Sequence, residues 1–109
     1  MQIAGTGRFG GEYETVAASQ TAQKLGVSGA LMNYLNALVI VPATTSPGIV
    51  SIGDGDNTHI TVFAGGATSV ASLAPIVVPL GIRAVDGQTP GWSVTTGANV
   101  SVIAIGDFT

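Results

Sequence analysis

In the hexapeptide Thr58–Phe63 the apolar Ile60 and Val62 alternate with His59 and Thr61, so an extended chain sets the two pairs on opposite sides of a sheet. Trp92 and Val94 against Ser93 and Thr95 repeat the pattern, which predicts strands with one wet face. Two other segments are greasy on both sides. Leu35–Val41 is almost wholly apolar, and in Val100–Ile105 the side chains of Val100, Val102 and Ala104 face one way while Ile103 and Ile105 face the other. Short apolar runs recur between clusters of Gly, Pro, Asn, Asp and Thr, a spacing that predicts an all-β chain rather than helices or βαβ units. The expected strands are Glu12–Ser19, Ala30–Val41, Gly48–Ile52, Thr58–Ala64, a stretch within Val70–Leu80, Gly91–Thr95 and Asn99–Gly106. Val16–Leu25, rich in Ala, Gln and Lys, has a helical turn as its alternative.

The turns between these runs follow from backbone chemistry. Pro47 presets φ and Gly48 tolerates positive φ, so Thr44-Thr45-Ser46-Pro47-Gly48 ends the long strand before Ile49. Gly53-Asp54-Gly55-Asp56-Asn57 reads as a solvated hairpin tip, and Asp86-Gly87 and Thr96-Gly97 as further turns. Residues 1–11, with Gly5, Gly7, Gly10 and Gly11, read as a glycine-rich arm that orders only on assembly, followed by a single domain over residues 12–109. The expected fold is a single-domain antiparallel β-sandwich, jelly-roll-like or immunoglobulin-like. A two-layer sandwich of this size has no room to bury both sides of two strands. The second face of the Leu35–Val41 and Val100–Ile105 runs is therefore expected to meet another chain, with Leu35, Val39, Val41, Val100, Val102, Ile103 and Ile105 as the candidate interface residues.

Composition sharpens that expectation. Only 8% of the 109 residues are charged, and 16 are glycine, where a soluble domain commonly gives about a quarter of its residues to charge. A surface so poor in charge is expected to be covered. Net charge is −3 with three basic residues, which argues against nucleic acid and against anionic membranes as partners. The longest apolar stretch, Val70–Ile82, is too short for a membrane span and carries Pro75 and Pro79. No basic start followed by an apolar run marks a secretory leader in residues 1–11. There is no cysteine, hence neither a disulfide framework nor a thiolate metal site.

Candidate chemistry is sparse. Asp54, Asp56 and Asn57 offer alternating oxygens, but the Glu that closes an EF-hand loop is replaced by Gly65. His59 is the lone histidine, and a catalytic reading would require it to reach Asp54 or Asp86. Gly5-Thr6-Gly7 with Gly10-Gly11 lacks the flanking strand, the helix and the Lys of a phosphate loop. Gly65-Gly66 reads as a bend where backbone passes close to backbone. Glu12 and Glu14 share one face of a strand and read as a solvated edge that discourages pairing. Trp92 reads as a core anchor, with a sugar platform as its rival. No catalytic, cofactor-binding or metal residue is expected, and no enzymatic role.

The order of segments carries more than any single residue. Val16-Ala17-Ala18-Ser19-Gln20-Thr21, then Leu25-Gly26-Val27-Ser28-Gly29-Ala30, Tyr34-Leu35, Val41-Pro42-Ala43-Thr44-Thr45-Ser46-Pro47-Gly48, Thr61-Val62-Phe63-Ala64-Gly65-Gly66 and Trp92-Ser93-Val94-Thr95-Thr96-Gly97-Ala98-Asn99-Val100 together resemble small structural proteins of tailed bacteriophages and prophages, over about Val16 to Phe108. These are structural phrases and carry over no catalytic residue. The resemblance implies a β-sandwich subunit of the virion, a head decoration or head-fibre-like protein on the capsid surface that passes through the host cytoplasm during assembly. Its partners would be copies of itself, a trimer by analogy, and the major capsid protein or other virion proteins. The competing expectation is a receptor- or glycan-binding module of a fibre or tail adaptor, with Trp92, Tyr13 or Tyr34 at the sugar.

Overall fold

A computed structural model of the chain describes residues 12–26, 34–54, 58–83 and 91–108. The arm expected at residues 1–11, the Asp86-Gly87 turn and the tip residues Gly55, Asp56 and Asn57 lie outside them. Eight strands follow in order: β1 Glu12–Val16, β2 Gln23–Lys24, β3 Tyr34–Pro42, β4 Val50–Asp54, β5 Thr58–Phe63, β6 Ile76–Arg83, β7 Trp92–Thr96 and β8 Val100–Asp107. Among the described residues there is no helix. The strands form two four-stranded antiparallel sheets, β1-β8-β3-β6 and β2-β7-β4-β5.

This order decides between the two expected sandwiches. The pairs are β4 with β5, β3 with β6, β2 with β7 and β1 with β8, as in one long hairpin. Rolling that hairpin up brings β8 against β3 and β7 against β4, and the pairs alternate between the sheets. That connectivity is a jelly roll.

The inward sides of both sheets fill one core. Val16, Leu38, Ile40, Val102 and Ala104 of the first sheet and Val50, Ile52, Trp92 and Val94 of the second are buried, with Leu25 and Phe108 alongside. Burying this apolar surface is the main favourable term in folding, at about 25 cal/mol per Å².

Val16–Leu25 is neither a longer first strand nor a helical turn. β1 stops at Val16 and the chain crosses to the other sheet, where it pairs briefly as β2. Two neighbouring threonines hold the crossing. Buried Thr96 donates its Oγ1 hydrogen to the Ala17 carbonyl (2.7 Å) and accepts from the Gln20 amide (2.9 Å). Thr95 Oγ1 accepts from the Ala22 amide (2.9 Å). Thr96→Val keeps the shape and strands both backbone groups, so it is expected to cost about 1–3 kcal/mol, read as a lower urea midpoint at unchanged slope.

At one end of the roll three loops touch through glycine. Gly48 donates to Ala98 O, Gly97 to Ile49 O, and Gly66 to Pro47 O, each at 2.8 Å. A side chain on Gly65, at φ +64°, would strike the Pro47 and Gly48 carbonyls. The bend expected at Gly65-Gly66 is therefore a place of close backbone approach.

Two further sequence expectations differ from the fold. Asp54 is not part of a solvated tip: it is the last residue of β4, opposite Thr58 and Trp92, and is buried. The second correction concerns the wet face expected for β7. β7 is a central strand, and Ser93 on its outward side is buried with its Oγ towards the Gly53 carbonyl (3.5 Å).

Candidate functional site

The seven candidate interface residues divide between the two sides of the β1-β8-β3-β6 sheet. In β8 the period-2 alternation is unbroken: Val100, Val102 and Ala104 enter the core, while Ser101, Ile103 and Ile105 turn outward and are half-buried. In β3 the alternation is interrupted. A bulge between Leu35 and Ala37 pushes Asn36 out, so Leu35 points inward although it shares odd numbering with Ala37, Val39 and Val41, which point outward. Leu35, Val100 and Val102 are thus core residues at 0–1% exposure, closed off from any partner, and only Val39, Val41, Ile103 and Ile105 remain available.

Cross-strand register assembles these four into a surface. One row runs Tyr13, Ile105, Ala37, Pro79, and the next runs Thr15, Ile103, Val39, Val77. Val41 and Ser101 begin a third. Tyr13 at 72% and Val77 at 64% are the most exposed large apolar side chains at its two edges. With strands about 4.8 Å apart, the rows cross the whole sheet without a formal charge. The nearest charges form the end row on the same side, where Tyr34 stands in register with Asp107 on one flank and Arg83 on the other. Glu12 and Glu14 turn the opposite way, and Glu14 Oε1 accepts the Gly26 amide (2.8 Å), so Glu14 also holds the backbone at Gly26.

The outward side of the other sheet is chemically different. Thr95, Ser51 and Thr61 are in register there, as are Lys24, Ser93, Gly53 and His59. Hydroxyls and glycine occupy positions where the first sheet has Ile, Val and Pro. Two faces of one small domain, built by the same alternation, therefore meet water on different terms.

The remaining candidates form no reaction centre among the described residues. Trp92 is buried at 3% exposure, and its Nε1 finds no hydrogen-bond partner among the described residues. It is a core anchor and presents no ring to a sugar. Tyr13 lies on a sheet face and not in a hollow, and the described residues enclose no pocket. His59 sits in register with Gly53 near the start of β5, one position from the Asp54–Thr58 pair. Among the described residues no three His, Cys, Asp or Glu gather as metal ligands.

The bulge at Asn36 is what the sequence reading missed. An Asn inside an apolar run is a weak sign of such an irregularity, and nothing else in Leu35–Val41 separates Leu35 from Val39. Compared with family models, with curated proteins and with solved structures, the chain matches none.

Proposed function

We propose that this protein is a non-enzymatic structural subunit that works by docking, and that its place is the outer surface of a bacteriophage capsid, as a decoration protein that stabilises the shell. The observation that carries the reading is the pair of charge-free rows, from Tyr13 to Pro79 and from Thr15 to Val77, that cross the outer face of the β1-β8-β3-β6 sheet. Contiguous apolar surface of this kind on a soluble domain marks a contact with another chain. A chain with 8% charge is poorly suited to remain bare in water, and well suited to a shell where neighbours cover it. On a capsid the copies are held at high local density, so a modest contact is amplified by mass action. The segment order that resembles small phage structural proteins supplies the identity of the shell.

The test is co-sedimentation with purified capsids of the phage or prophage whose genome carries the chain. Saturable pelleting with the shells at micromolar protein, and a rise in the temperature at which they release DNA, are expected. Failure to pellet at any concentration contradicts the capsid assignment.

A further inference from the structure

Each sheet ends in two strands whose outer backbone groups are unpaired among the described residues, and such edges invite pairing with another chain. Three of the four edges carry features that discourage it. β1 bears Glu12 and Glu14, so a second copy laid against it would bring carboxylates together. β6 has Pro79 in mid-strand, which lacks the N–H a ladder needs, and ends in Arg83. β2 is two residues long and contains Lys24.

β5 has none of these devices. Its six residues, Thr58-His59-Ile60-Thr61-Val62-Phe63, include no Pro, Gly, Asp, Glu, Lys or Arg. The edge also leaves an apolar side chain uncovered. Ile60 stands opposite Ile52 on the core side of the sheet, yet Ile60 is 43% exposed where Ile52 is 1% exposed. Among the described residues Ile52 has a strand on either side, and Ile60 has one on one side only.

We propose that β5 is a strand-addition site and that its occupant is β5 of a second copy, paired antiparallel about a twofold axis through Ile60. The strand is uncharged, so it meets itself without opposing like charges, a condition that β1 fails. A twofold axis normal to the sheet keeps both inner faces on one side, so Ile60 covers Ile60 of the other copy and position 59 stands in register with position 61. Val62 is the extra residue where the register shifts opposite Val50 and Ser51, which leaves Thr58–Thr61 as the regular stretch, and the axis through Ile60 lies within it. The two β2-β7-β4-β5 sheets then join into one eight-stranded sheet, an isologous contact that closes at two copies. This pairing lies on the sheet opposite the docking face proposed above and does not depend on it.

The absence of cysteine makes the test direct. Directly opposed residues in an antiparallel pair have Cα atoms about 4.5–5.5 Å apart, inside the range a disulfide bridges. Ile60→Cys is expected to give a disulfide-linked dimer as the main species under mild oxidation. Ala71→Cys, with its thiol on an exposed loop, serves as the collision control. Ile60→Lys sets two ammonium groups face to face and is expected to reduce the non-covalent dimer at least tenfold, with circular dichroism unchanged. Ile60→Cys joined with Val39→Lys on the docking face is expected to cross-link as well as Ile60→Cys alone. Cross-linking no greater than the Ala71→Cys control overturns the proposal, as does its loss in the Val39→Lys background.

Discussion

Trp92→Ala is expected to be among the most destabilising single substitutions in this chain, at about 3–5 kcal/mol. A domain of this size is stable by only about 5–15 kcal/mol, so the variant should melt at least 10 °C lower or fail to accumulate. The reason is position. Trp92 starts a central strand, is almost fully buried, and packs into the cluster shared by both sheets. Its Nε1 has no hydrogen-bond partner among the described residues, so the ring contributes through contact area alone. Trp92→Phe, which keeps a ring and removes an unpaired buried donor, should lose much less. Thermal unfolding followed by circular dichroism checks both. If Trp92→Ala folded with unchanged stability, the ring would not be a core residue and the sugar-platform reading would return.

The positions that sequence reading placed well are those where one rule acts alone. The alternation of Val100, Val102 and Ala104 with Ile103 and Ile105 is unbroken in β8, and each set lies on one side. The turn at Thr44–Gly48 separates β3 from β4, and Trp92 is in the core. Errors arose where a tertiary contact overrides the local pattern. The Asn36 bulge reverses the phase of β3 and sends Leu35 into the core. Burial of Asp54 follows from its register with Trp92, and the short β2 from the hydroxyls of Thr95 and Thr96, which lie more than 70 residues further along. Choosing the jelly roll over the immunoglobulin-like order needs the pairings of β8 with β3 and β7 with β4, which no local signal encodes. The proposed docking surface was half legible: its apolar content was plain in the sequence, and its membership depended on the bulge.

The second large effect is on binding. Val39 is at the centre of the outer face, flanked by Ile103 and Val77. A lysine there would have to be desolvated in the contact, with no acid in the rows around it to pair with. An uncompensated charge at an apolar interface costs several kcal/mol, and about 2.7 kcal/mol is a hundredfold in affinity. Val39→Lys and Ile103→Lys are therefore each expected to weaken capsid binding by about a hundredfold. Both side chains are outside the core, so the melting temperature should move by only a few degrees. A comparable change on the hydroxyl-bearing face, at Ser51, is expected to leave capsid affinity near that of the unaltered protein.

The most direct measurement of the central claim is a capsid-binding isotherm for the unaltered protein beside one for Val39→Lys/Ile103→Lys, with thermal unfolding of both. A saturable curve is expected for the first, no saturation over the same range for the second, and nearly equal melting temperatures. Superimposable isotherms from two well-folded proteins would contradict it, because the greasy face would then be touching nothing.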